Sequence, residues 1–263
     1  MQLLQLNDLI RVGRNYDGGY VISESLIKRS SALLSFGIND DWSFEEDFCK
    51  RCKVKCYGFD FSISKKTFLK RGLQQIKYFF GDIIKRKKIN SSRLKTAREN
   101  FYLHKKFNSF FKKNIFSNYG IDKTTHSHFK KLDDILQEYF ANEENIFLKL
   151  DIEGYEFFVL DDVLNFKKKF HGLAIEIHNI HNKKNDFNRL IEKIKPHFYI
   201  YHVHANNYGK MQKEELFPDV IEISCIRKDL VEDVFFYDDL SHLPIKNIDF
   251  PNDPFSADFK WQF

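Results

Sequence analysis

No apolar run in this chain is long enough to cross a membrane, and none at its start has the length of a secretory signal. The opening stretch MQLLQLNDLIRVG turns polar almost at once. These absences point to a cytoplasmic protein with no membrane partner. No internal repeat at a fixed period is present, which excludes solenoid architectures. Cysteine is scarce, at Cys49, Cys52, Cys56 and Cys225. The first three are close enough to raise a zinc site, but Cys49 and Cys52 fall on an expected helix and Cys56 in the strand after it. Free thiols in a reducing compartment fit better. Acidic residues are nearly missing from Lys85 to Lys131, where fourteen Lys and Arg face only Glu99 and Asp122. That segment carries +12, so with a net charge of +5 the remainder carries −7. Such asymmetry marks a segment suited to an anionic partner.

What is present is enough chain for a substantial core. The 263 residues, 29 of them Phe, allow one large domain or two small ones. Apolar runs of strand length occur at Ala32–Phe36, Val54–Phe59, Ile76–Phe80, Ile146–Leu150, Leu173–Ile177, Tyr199–Val203 and Val220–Ile226. Polar segments with helical spacing lie between most of them, at Ser43–Arg51, Leu132–Phe140, Tyr155–Leu164 and Asp186–Ile194. This alternation predicts a largely parallel sheet with helices on both faces. The polar loop Asn206–Pro218 leaves no room for a long helix between the last two strands, so that pair is expected to be antiparallel. A single domain over 1–263 follows. Its additions are an N-terminal segment (1–31), a basic helical insertion or lid (85–131) and an irregular tail (243–263). In the first of these, Asp17-Gly18-Gly19 reads as a tight turn, in a simple hairpin or in a ligand loop.

The most informative stretch is Ile146–Glu156, IFLKLDIEGYE. It reads as a buried strand that stops at Asp151, followed at once by Glu153, Gly154 and a helix start. In open α/β sheets ligands bind outside the carboxyl ends of the strands, so Asp151 is either a ligand-facing carboxylate or a helix cap. The first strand ends at Gly37-Ile38-Asn39-Asp40-Asp41, before a helix start with Ser43 as its expected cap and Glu46 three residues on. A strand, a glycine turn and a helix N-terminus make a nucleotide-cradling corner. A lone glycine is not a dinucleotide fingerprint, and Asp40 and Asp41 would repel a pyrophosphate. S-adenosylmethionine, with its ammonium and sulfonium charges, suits an acidic corner. Asp60, with Phe61 beside it, ends the second strand at the distance expected of a ribose ligand. Asp82, after Ile76–Phe80, is expected near the adenine amino group.

With these residues in view, the chain resembles the FkbM-type branch of the S-adenosylmethionine-dependent methyltransferases. The likeness is carried by Lys149-Leu-Asp151-Ile-Glu153-Gly154-Tyr-Glu156, by Lys131-Leu132-Asp133-Asp134, and by Leu173-Ala-Ile-Glu176-Ile-His178. The segments Arg11-Val-Gly13…Asp17-Gly-Gly-Tyr20 and Ser35-Phe-Gly37…Ser43-Phe-Glu45 look like a variant of the same group. The resemblance implies a class I methyltransferase Rossmann-like fold, with a seven-stranded, mostly parallel sheet and one antiparallel strand. It also implies methyl transfer to a hydroxyl, or less often a nitrogen, on a sugar or related small molecule. A surface-polysaccharide precursor, methylated in the cytosol before export, is one such acceptor.

Such a reaction needs the acceptor aligned and its proton removed, by a general base or with the help of a metal. Glu176 and His178 share one face of their strand, and His202 and His204 share a face of the next. Asp151, Glu176, His178 and His204 are therefore the expected catalytic set. The same four could ligate Mn²⁺, Fe²⁺ or Zn²⁺. Gly37, Asn39, Asp60, Phe61, Asp82 and Asp151 are the expected cofactor residues. The basic insertion suits an anionic acceptor, or RNA with aromatics stacking on bases, or is simply a solvated face. An RNA-directed protein and a metal-dependent hydrolase are the alternatives. Exposed aromatics in the tail permit a homodimer.

Overall fold

The protein is described by a computed structural model over residues 2–85, 91–208 and 217–261. Parts of three sequence expectations lie outside the described residues: 86–90 of the basic insertion, 209–216 of the polar loop and 262–263 of the tail.

The core begins with β3 (Ala32–Phe36), whose five residues are all buried. It follows an antiparallel hairpin of β1 (Leu9–Val12) and β2 (Tyr20–Ser23) and a short helix, α1 (Glu24–Arg29). The Asp-Gly-Gly turn is thus part of a hairpin connection. After β3 come α2 (Ser43–Cys52), β4 (Lys55–Phe59) and two long helices, α3 (Thr67–Ile84) and α4 (Ser92–Phe110). Short strands β5 (Ile115–Ser117), β6 (Gly120–Ile121) and β7 (Phe129–Lys130) lead to α5 (Leu132–Tyr139) and β8 (Ile146–Leu150). The chain then runs through α6 (Glu156–Asn165), β9 (Phe170–Ile177), α7 (Lys184–Ile194), β10 (Phe198–Ala205) and β11 (Ile221–Arg227).

Seven strands form one sheet in the order β10-β11-β9-β8-β3-β4-β5. All pairs are parallel except those of β11, which runs antiparallel to both neighbours. Strands this apolar need cover on both faces, because every second side chain points the opposite way. Leu34, Phe36, Leu148 and Leu150 pack with α5, α6 and α7 on one side. Leu33, Phe147 and Ala174 pack with the β1–β2 hairpin, α1 and α2 on the other. Phe36 pairs with both Phe59 and Leu150, so β3, β4 and β8 end in line. Gly37, Asp60 and Asp151 therefore stand in a row at the sheet's carboxyl edge.

Two expectations are corrected here. Ile76–Phe80 is not a strand but the middle of α3. Its apolar residues continue a helical spacing from Phe68 through Ile76, Phe79 and Ile83, and a five-residue window hid that period. The strand beside β4 is the three-residue β5, too short to stand out. The insertion is accordingly shifted. A helical hairpin spans α3 and α4, while the second half of 85–131 contributes β5, β6 and β7. A smaller correction concerns α2. Ser43 is its first residue rather than its cap, and Asp41 accepts the Ser43 N–H at 3.0 Å.

Candidate active site

A cleft of about 1070 Å³ opens over the carboxyl ends of β3, β4, β8 and β9. It lies where β3 has neighbours leading in opposite directions along the sheet, the place open α/β sheets keep for ligands. Gly37, Asn39, Asp60, Phe61, Asp151, Glu176 and His178 all line it.

Gly37 sits at φ +81°, and a Cβ there would lie 1.7 Å from the Asp151 carbonyl oxygen. Only glycine lets the ends of β3 and β8 approach this closely. Asn39 also has a positive φ, 44°, and its N–H donates to Asp60 Oδ2 at 2.7 Å. Asp60 Oδ1 accepts from both the N–H and the hydroxyl of Ser62, at 2.7 and 2.6 Å. Three of the roughly four lone-pair positions of this carboxylate are thus taken, which leaves room for one ribose hydroxyl rather than two. Phe61 and Phe129, with ring centroids 5.0 Å apart, flank Gly120 and Ile121 on the same side of the cleft. These rings form an apolar slot suited to a flat base. Asp82 is not there. It lies on α3, paired with Arg93 at 2.9 Å, because the strand expected to carry it is a helix.

The motif after β8 owes its shape to Glu156, which is almost wholly buried. Glu156 Oε1 accepts the N–H groups of Ile152 and Gly154 at 3.0 and 3.2 Å. The turn they close holds Glu153 at φ 56° and Gly154 at φ 98°. The same oxygen lies 3.1 Å from His178 Nδ1. With Nδ1 so held, Nε2 faces Glu176 at 3.6 Å, Glu153 at 3.7 Å and Asp151 at 4.0 Å. Burial lowers the proton affinity of His178, but the Glu156 hydrogen bond and the charges of Glu176, Glu156 and Asp151 outweigh it and raise its pKa to about 9.

Behind the carboxylates is a buried polar layer. The Tyr20 hydroxyl lies 2.9 Å from Glu176 Oε2 and 3.1 Å from Asp151 Oδ2, and it can donate to one of them at a time. Asn206 donates to the other Glu176 oxygen at 2.8 Å. Burial and the nearby charges of Asp151 and Glu222 push the Glu176 pKa well above the usual carboxylate range. Lys149 donates to the Gly37 carbonyl at 3.0 Å and sits 3.5 Å from Asp151 and 3.7 Å from Glu45. Burial alone would favour its neutral form, but Glu45, Asp151 and Glu176 keep it charged. Tyr20, Lys149, Glu156 and Asn206 were not among the expected site residues. Glu156 carries a signal, as the last acid of the Asp-x-Glu-Gly-x-Glu motif. Tyr20 closes the Asp17-Gly-Gly-Tyr20 segment of the resemblance, but its place at the site had no local signal, because it reaches Glu176 and Asp151 only through the packing of the N-terminal hairpin.

His204 does not join the other three expected catalytic residues. It is buried beneath the tail, 3.1 Å from Asp258 and 3.5 Å from Glu222. His202 likewise pairs with Asp249 at 3.1 Å. Alternation along β10 put both histidines on one face as expected, but the tail covers that face and claims them. Asn206, one step further along, reaches the cleft instead. Burial opposes charge on His204, yet Asp258 and Glu222 raise its pKa to about 10. A group whose pKa rises on folding stabilises the protein fully below its unfolded value of about 6.5. That contribution is lost as pH climbs through about 10. Thermal unfolding of wild type and His204→Gln from pH 6 to 10.5 should show the wild-type advantage largest at the acid end and shrinking with pH. A constant or growing gap would contradict the charged pair.

The family model of the methyltransferase FkbM domain matches residues 24–223. The chain belongs to the FkbM methyltransferase family. It is an S-adenosylmethionine-dependent enzyme with the class I fold that its strand order displays. The FkbM region excludes both the β1–β2 hairpin and the tail, so Tyr20, the Asp249 partner of His202 and the Asp258 partner of His204 come from segments flanking it. None of the curated proteins matches the sequence. Among solved structures, the chain is similar to the Methanococcus jannaschii fibrillarin pre-rRNA processing protein at 12% identity. That match covers 76% of this chain and 68% of that one, with a TM-score of 0.38. It is similar also to M. capricolum TrmK, solved with S-adenosyl-homocysteine, at 11% identity, 80% and 69% coverage and a TM-score of 0.38. A third is the Geobacter metallireducens precorrin-6y C5,15-methyltransferase, at 10% identity, 78% and 86% coverage and a TM-score of 0.37.

Proposed function

We propose that this FkbM methyltransferase transfers its methyl group to a hydroxyl of a polar small molecule, a sugar or sugar phosphate of the kind built into surface polysaccharides. The observation that carries the reading is His178, whose Nδ1 is tied to Glu156 while Nε2 faces the cleft beside Asp151, Glu153 and Glu176. Gly37, Asn39, Asp60 and Asp151 hold the cofactor, with Phe61 and Phe129 about its adenine. The acceptor lies toward Glu153, His178, Asn182 and Asn206, which line the other part of the cleft with groups able to bind hydroxyls. The bound cofactor would supply the methyl group, its methyl–sulfur bond breaking to leave S-adenosylhomocysteine as the acceptor oxygen bonds to the methyl carbon, and neutral His178 Nε2 would take the acceptor's hydroxyl proton. Family membership leaves the hydrolase reading without support. An RNA acceptor fits this reading less well, because the base-sized aromatic slot is the one assigned to adenine.

A second reading is favoured by one further observation. Asp151, Glu153 and His178 each offer a ligand atom, all within 4.8 Å of one another. A mixed carboxylate and imidazole set fits Mn²⁺, Fe²⁺ or Zn²⁺, which would acidify the acceptor hydroxyl. Glu176 and His204, expected as ligands, are not in this group. Glu176 is held by Tyr20 and Asn206, and His204 by the tail.

The cofactor assignment is tested by calorimetry with S-adenosylhomocysteine. Wild type should bind, and Asp60→Ala should weaken binding by about 1–3 kcal/mol through the lost hydrogen bond and the loosened Asn39 turn. No heat at millimolar ligand would remove this placement of the cofactor, and an unchanged dissociation constant in the variant would move the ribose elsewhere.

A further inference from the structure

The α3–α4 hairpin takes no part in the site beyond Arg71 at its base. Its root is fixed by Phe68 and Phe107, whose rings pack on Trp42 at 5.8 and 5.2 Å. The helices approach closely where Gly72 meets Phe101, since a Cβ on Gly72 would come within 2.7 Å of that ring. Arg93 ties them further out, bonding Asp82 and lying 5.2 Å over the Tyr78 ring. From Leu73 to Lys85, and from Ser91 to Thr96, no residue is buried. The far half of the hairpin therefore projects from the body.

That projecting half is apolar where solvent should favour polar residues. Ile84 is 79% exposed and Phe80 56%, with Ile83 and Leu94 also open to solvent. Leu73, Lys77, Phe80 and Ile84 follow one another along a single helical stripe. Exposed cations surround the apolar group: Lys77 and Lys85 on one helix, Lys95 and Arg98 on the other. Several exposed apolar side chains on one projecting element in a basic setting mark a contact surface.

Charge and shape choose the occupant. A second copy of the chain meeting this patch through its own hairpin would bring two strongly basic surfaces together. Single-stranded nucleic acid would use the lysines and could stack bases on exposed rings such as Phe80 and Tyr102, but it would leave Leu73, Ile83, Ile84 and Leu94, which carry no ring, in water. Aliphatic and aromatic side chains on the described ends of α3 and α4, with Lys77, Lys85, Lys95 and Arg98 exposed among them, match the boundary between anionic headgroups and acyl chains. Among the described residues no helix is long and apolar enough to cross a membrane, so the contact is interfacial, a surface partner that the expectation of no membrane partner did not consider.

We propose that the α3–α4 hairpin is an interfacial foot that docks the enzyme on an anionic lipid surface, with Phe80, Ile83, Ile84 and Leu94 entering the headgroup layer. The inference is independent of which acceptor is methylated. The test is co-sedimentation of the full chain with vesicles of phosphatidylglycerol and phosphatidylcholine, beside vesicles of phosphatidylcholine alone. Wild type should pellet with the anionic vesicles, less so at high salt, and stay in solution with the neutral ones. Ile83→Ser/Ile84→Ser should lower partitioning by about tenfold or more, and Lys77→Glu/Lys95→Glu by at least about fivefold per charge. Unchanged S-adenosylhomocysteine binding by both variants shows that the fold is intact. Wild type remaining in solution with anionic vesicles overturns the proposal, as does equal partitioning of the variants. A wild-type dimer that the Ile83→Ser/Ile84→Ser change dissociates would assign the patch to a second copy instead.

Discussion

Gly37→Ala is expected to abolish cofactor binding while leaving the sheet largely assembled. The new methyl group would stand 1.7 Å from the Asp151 carbonyl oxygen, so backbone must move. The residue also holds φ +81°, a conformation that costs an L-residue about 1–2 kcal/mol. Both penalties fall on the junction of β3 and β8. Three contacts of that junction depend on Gly37 staying where it is. Its N–H donates to the Phe59 carbonyl at 3.1 Å, its own carbonyl accepts from Lys149 at 3.0 Å, and Asp151 N–H bonds to Phe36 next to it. Displacing the turn shifts Asn39, and with it the hydrogen bond that orients Asp60. S-adenosylhomocysteine affinity should fall by at least about 100-fold, or ~2.7 kcal/mol. The melting temperature should drop as well, with circular dichroism still showing an α/β fold. Affinity within a few-fold of wild type would show that the cofactor does not rest on this corner.

His178→Gln should lower kcat by about 10²–10⁴-fold with S-adenosylmethionine affinity little changed, the loss typical of a removed general base. The pH profile separates the two mechanisms proposed for it. With a pKa raised to about 9, the imidazole of the free enzyme is protonated at neutral pH. If His178 is the base, log kcat/KM should rise with unit slope up to about pH 9 and then level off. A divalent cation on Asp151, Glu153 and His178 would hold the imidazole neutral already, since a ligating histidine must be deprotonated. The profile would then flatten, and a chelator would remove activity that Mn²⁺ restores. A variant retaining near wild-type kcat would exclude both roles.

Much of this site was legible because it follows the sheet. The strand ends at Gly37, Asp60 and Asp151 could be read from apolar runs meeting polar residues, and parallel register brings such ends together whatever the loops do. Glu176 and His178 were legible for a similar reason, as neighbours on one face of a strand. The failures have physical causes too. Asp82 was misplaced because a five-residue window in which only Lys77 is charged does not distinguish a strand from one side of an amphipathic helix. His204 satisfied every local rule and was still diverted, since Asp258, more than fifty positions away in sequence, packs against it.

The sequence by itself determined the alternation of strands and helices, the acidic carboxyl edge and the family motif around Asp151, all of which arise from short-range periodicity and neighbouring residue types. Only the tertiary structure decided which polar groups the cleft keeps. Tyr20 arrives from the N-terminal hairpin, Glu156 turns back to fix His178, and the tail takes His202 and His204 for itself. A buried polar side chain needs a partner wherever the chain can supply one. That partner is set by packing between distant segments, which local sequence does not encode.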